Sequence, residues 1–135
     1  MTRRRRAAAA PPFSRKPGPG FGGCFVAVAI LVSRIMVRHN VYFWLDPALT
    51  DEQKASFEGG LRALFRIDAV AAGSFGKAAA TPVRPVTRNT FDYALVLEFD
   101  SVAAHDAYQV HPEHDVFVKA FSPWFREVRV FDTQF

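Results

Sequence analysis

The chain has 135 residues, half of them apolar and fourteen of them Phe, which is enough for one hydrophobic core and excludes global disorder. Its net charge of +4 is unevenly placed: residues 1–35 hold seven Arg/Lys and no acid, while residues 36–135 hold ten Arg/Lys and all thirteen Asp/Glu, a net −3. An acidic body lacks the basic face of a nucleic-acid-binding domain, and the lone Cys24 leaves no internal disulfide, which suits a reducing, cytoplasmic compartment.

Residues 1–35 read as a disordered, basic, Pro/Gly-rich extension. Pro11, Pro12, Pro17, Gly18, Pro19 and Gly20 forbid a regular element. The apolar run Cys24–Val32 is too short to cross a bilayer as a helix. It follows a long Pro/Gly spacer, and no small-x-small site comes after it, so the pattern departs from a signal peptide. Met36 stands directly before the first strand and is read as an alternative start, with 36–135 as the single folded domain.

The first strand is expected over Val37–Leu45. Val37, His39, Val41, Phe43 and Leu45 share one face, and Arg38, Asn40, Tyr42 and Trp44 share the other. Thr50 with Gln53 reads as a capping box, opening a helix to about Arg66 whose stripe is Phe57, Leu61, Leu64 and Phe65. Gly59 and Gly60 in its middle imply close packing or space left open. A weak strand follows over Asp68–Phe75, then a mobile loop from Gly76 to Asn89. The strand Thr90–Phe99 places Phe91, Tyr93, Leu95, Leu97 and Phe99 on one face. Ser101 caps a second helix to about Val110. His111–Pro112 interrupts it, and Pro112 starts a further helical segment to about Phe121. Ser122–Pro123 ends that segment, and Phe125–Phe131 is the last strand.

The order β-α-β-β-α-β predicts an α+β, ferredoxin-like fold: a four-stranded antiparallel sheet with helices on one face. The second face would then be bare, and it carries Tyr42, Trp44, Ala94 and Val96. An exposed apolar face marks an interface, so self-association into a homodimer through the sheets is expected.

Chemistry concentrates in Tyr108-Gln-Val-His111-Pro-Glu-His114. His114, Phe117, Val118 and Phe121 lie at i, i+3, i+4 and i+7, so His114 heads an apolar stripe. His39 lies on the apolar face of the first strand. Such inward polar groups either bond one another or line a pocket. Metal ligation is not expected, since His111 and His114 are not the H-E-x-x-H pair and no Cys or carboxylate is seen to complete a site. No nucleophile elbow, phosphate loop or dinucleotide fingerprint occurs, so no cofactor is expected. Acid–base work remains: a neutral His as base and a Tyr hydroxyl as donor to a carbonyl oxygen.

The stretches Met36-Val-Arg-His39-Asn-Val-Tyr-Phe, Leu49-Thr-Asp-Glu-Gln-Lys54, Tyr93-Ala-Leu-Val-Leu-Glu-Phe99, Tyr108-Gln-Val-His111-Pro-Glu-His114 and Val130-Phe-Asp132 resemble the stress-responsive α/β-barrel (Dabb) domain, across 36–135. The resemblance implies a dimeric α+β barrel. One plant member, olivetolic acid cyclase, performs an aldol cyclisation. By that likeness Tyr108 and His114 would be catalytic, and His39, His111, Phe57, Phe125 and Val128 would shape the substrate site. Leu61 stands where that enzyme has a Tyr, which implies a different pocket shape. Two functions are thereby expected as alternatives: a cofactor-free enzyme or binder for a small, partly apolar carbonyl compound, or a non-catalytic stress-related oligomer. No nucleic-acid or membrane partner is expected.

Overall fold

The alternation of buried and half-exposed residues along Val37–Leu45 is the one its period-two pattern dictates. This strand, β1, is central in a computed structural model that describes Lys16 and residues 36–135. The expectations for residues 1–35 otherwise lie outside the described residues.

Helix α1 (Asp51–Leu64) opens on the expected capping box: the Gln53 amide donates to Thr50 Oγ1 at 3.2 Å, and the Thr50 amide donates to Gln53 Oε1 at 2.8 Å. It ends two residues before Arg66, with Phe65 as its C-cap. Turns then carry Ile67 and Val70 into the core. As a result β2 is shorter and later than expected, at Ala72–Gly76.

The expected strand from Thr90 is also corrected. β3 covers Tyr93–Phe99, because the Asp92 side chain breaks the alternation by accepting the Leu45 amide at 2.7 Å. Phe91 consequently stands beside Tyr42 and Trp44 (centroids 5.0 and 6.1 Å), on the face away from the helices. Helix α2 (Val102–Gln109) is capped by Ser101, whose Oγ accepts the Ala104 amide at 3.1 Å. Helix α3 (Pro112–Phe121) follows after the extended residue His111. A single 3₁₀ turn, Ser122–Trp124, leads into β4.

β4 runs over Phe125–Gln134, three residues beyond the expected end. It stays paired with β1 from Leu45↔Phe125 to Val37↔Gln134, with one irregularity at Trp44/Leu45. All pairings are antiparallel and the sheet order is β2-β3-β1-β4. This is the expected ferredoxin-like fold, with the helices on one face.

Phe57 is fully buried at the centre of the core, edge-on or tilted to Phe43, Tyr93, Phe117 and Phe121 with centroids 5.1–5.8 Å away. Gly60 resolves the question its position raised. A Cβ there would collide with the Phe121 ring, so Gly60 lets α1 approach α3, while Gly59 faces open space. Among the described residues, no helix is long and apolar enough to cross a membrane.

Candidate functional site

Packing α2 and α3 over β1 and the edge strand β4 leaves a cavity of about 350 Å³. Its apolar walls include Val41, Phe43, Phe117, Phe125, Val128 and Val130. The register explains the β4 contribution: Val128, Val130 and Asp132 stand opposite Phe43, Val41 and His39, so all six share the helix-side face.

The polar groups collect at one end. His39 is 4% exposed, and its Nδ1 lies 2.5 Å from Asp132 Oδ1. A carboxylate only accepts here, so His39 donates. His105, one helical turn before Tyr108, lies with its ring 5.0 Å from that of His39. Its Nε2 is 3.8 Å from Asp132 Oδ1, and its Nδ1 is 3.1 Å from Asp106 Oδ1. Tyr108 is 1% exposed, 5.9 Å from the His39 ring and 4.8 Å from the His114 ring. Neither the Tyr108 hydroxyl nor the His114 imidazole has a side-chain hydrogen bond among the described residues.

Burial sets the protonation states. It lowers the His39 pKa, against the opposing hydrogen bond and charge of Asp132. It lowers that of His114 too, helped by neighbouring His39 and His105 and opposed by Asp115. It raises that of Tyr108. His39 and His114 are therefore neutral imidazoles and Tyr108 a protonated phenol at neutral pH, a base and a donor in the required states.

This has a consequence for stability. Both histidines take up protons less readily folded than unfolded, so the unfolded state binds more protons below about pH 6.5. Stability should be complete above that value and fall as the pH drops through the lowered folded pKa values. Thermal unfolding between pH 7.5 and 5 should show the decline, and His39→Gln and His114→Gln should each flatten it. A wild-type midpoint that rises on acidification would contradict the assignment.

The structure sorts the expected site residues into two groups. His39, Tyr108, His114, Phe125 and Val128 line the cavity. His111, Phe57 and Leu61 do not. His111 is the N-cap of α3, its Nδ1 accepting the Glu113 amide at 3.1 Å, and it faces a separate hollow beside Arg66 and Asp68. The extended backbone that Pro112 imposes turns its ring onto its own helix. Phe57 and Leu61 are wholly inside the core. His105 and Asp132 were missed, and with them the cluster in which donor atoms of His39, His105 and Asp132 lie within 4.8 Å of one another. Two signals pointed to them: His105 is at i−3 from Tyr108 on α2, and Asp132 alternates with Val128 and Val130 on β4.

Comparison with curated protein sequences returns no match. Among solved structures, the chain is similar to a hydroxynitrile lyase from Passiflora edulis (21% identity, TM-score 0.66, 76% of this chain and 94% of that one). It is similar to a Dabb family protein with a ferredoxin-like fold from Mesorhizobium loti (24%, 0.61, 73% and 95%). A dimeric ferredoxin-like protein of unknown function from Thermobifida fusca is a further neighbour (20%, 0.61, 75% and 92%). At these identities the likeness is one of fold. The sequence model described as the stress responsive A/B barrel domain matches residues 37–135, and on that match, spanning both the sheet and the cavity, the chain belongs to the Dabb family.

Proposed function

We propose that this protein binds a small, partly apolar carbonyl compound in the cavity beneath α2 and α3 and performs acid–base chemistry on it. His114 is the base that removes a proton next to the carbonyl, and Tyr108 donates to the carbonyl oxygen as it gains charge. His39, held by Asp132, lies beside Tyr108. The reaction class is aldol, cyclisation or isomerisation chemistry, each of which begins with such a proton transfer. A neighbour of the same fold is a hydroxynitrile lyase by name.

One observation carries this reading: Tyr108 and His114 face a largely apolar cavity of about 350 Å³ with their polar atoms unpartnered by other side chains among the described residues. His114 is half-buried, and no other described side chain occupies either group, so both are available to a ligand. The protein works as a homodimer through the sheet face opposite the helices, where Tyr42, Trp44, Phe91 and Phe131 border a second hollow. Three of the neighbouring structures are of proteins described as dimeric.

The test is a thermal-shift screen of short diketones, aromatic aldehydes and linear poly-β-keto esters. Some should raise the wild-type midpoint, and Tyr108→Phe should reduce the effect. No shift from any of them would sink the proposal and favour the non-catalytic oligomer.

A further inference from the structure

We propose that His39, His105 and Asp132 bind a divalent transition-metal cation of the zinc, cobalt or nickel class at the polar end of the cavity. The proposal goes beyond the acid–base reading of His114 and Tyr108 and does not depend on it.

Three elements bring the donors together: β1 supplies His39, α2 supplies His105 and β4 supplies Asp132. Their ligand atoms all lie within 4.8 Å of one another. Two imidazoles with one carboxylate suit zinc, cobalt or nickel, whereas calcium and magnesium prefer all-oxygen sites. Three protein ligands on one side leave further positions open to the cavity, as in metal sites that admit water or substrate.

The orientation of His105 is the sharper observation. Its Nδ1 lies against Asp106 Oδ1 at 3.1 Å, and in the Nδ1–H tautomer that this contact favours Nε2 presents a lone pair. That lone pair faces the Asp132 carboxylate at 3.8 Å. A lone pair and a carboxylate turned toward each other form a donor arrangement that a cation between them satisfies. The Gln109 amide is 3.4 Å from the same Nε2, which agrees with Nε2 as the acceptor but is too long to satisfy it well. A carboxylate behind a histidine whose other nitrogen points into a donor cluster is the usual outer shell of a metal-bound imidazole.

On loading, neutral His39 changes tautomer: its Nδ1 proton passes to solvent and Nε2 takes one up, which frees the Nδ1 lone pair for the ion. Ligand atoms on a tetrahedral ion sit about 3.3 Å apart at bond lengths near 2.0–2.1 Å, so Asp132 must move about 1 Å away from His39. Its side chain is 46% exposed on an edge strand and has the room.

Metal-free full-length protein titrated with Co²⁺ and Zn²⁺, by calorimetry and by competition with a chromogenic chelator, tests the site. One ion per chain should bind, with Co²⁺ giving visible ligand-field bands that Zn²⁺ displaces. His105→Ala and Asp132→Asn should each weaken binding by more than about 100-fold, and Asp106→Asn by about 10–100-fold. His111→Ala should bind as the wild type does. Asp106 is exposed, so its variant still tests the site if the others fail to fold. Wild-type binding no tighter than that of His105→Ala, or equal loss in His111→Ala, would overturn the site. The carbonyl screen run in EDTA keeps the two proposals apart: silence there sinks the acid–base reading alone, and absent Co²⁺ binding sinks the metal site alone.

Discussion

Phe57→Ala should destabilise the domain by about 3–5 kcal/mol, the upper range for removing a buried aromatic ring. Phe57 has no exposed surface and touches rings from β1, β3 and α3. Those rings are held by their own edge-to-face contacts, so they cannot collapse into the vacated volume without giving those contacts up. Denaturant unfolding measures the loss, and a change below about 1 kcal/mol would mean that the core is not centred on this residue. Phe57 also stands behind the cavity, since it packs on Phe117 and Phe125, which line it. The resemblance that assigned Phe57 to the substrate site therefore named a residue that supports the wall without forming it.

His114→Ala should reduce kcat on any carbonyl substrate that the cavity turns over by about 10²–10⁴-fold, the usual contribution of a positioned base. Tyr108→Phe should cost about 10²–10³-fold, the usual cost of losing one donor to a developing oxyanion. The two losses should not add, because both groups act on the same proton transfer. Tyr108→Phe should leave stability within about 1 kcal/mol of the wild type, since its hydroxyl has no bond to lose among the described residues. Steady-state kinetics beside thermal unfolding separates the roles. Unchanged turnover in His114→Ala would remove it from the mechanism.

The elements that local chemistry controls were legible in the sequence. β1 follows its period-two pattern throughout, Thr50 and Gln53 form the capping box, Ser101 caps α2, and Pro112 places the break before α3. Each depends on residues only a few positions apart. Boundaries set by distant partners were not legible. β3 starts late because Asp92 binds the Leu45 amide, 47 residues away. β4 runs long because β1 offers it a partner as far as Gln134. The site divides in the same way. The stretch from Tyr108 to His114 stood out as a local motif, yet His111, at its centre, caps a helix.

The sequence by itself determined the acidic body with its basic extension, the β-α-β-β-α-β order, and the inward placement of His39 and His114. All of these follow from composition and periodicity. Only the tertiary structure decided which of those groups meet. The antiparallel register brings Asp132 opposite His39 across 93 residues, and the docking of α2 on the sheet adds His105. Strand pairing and helix packing are long-range choices, and the polar end of this cavity exists only once both have been made.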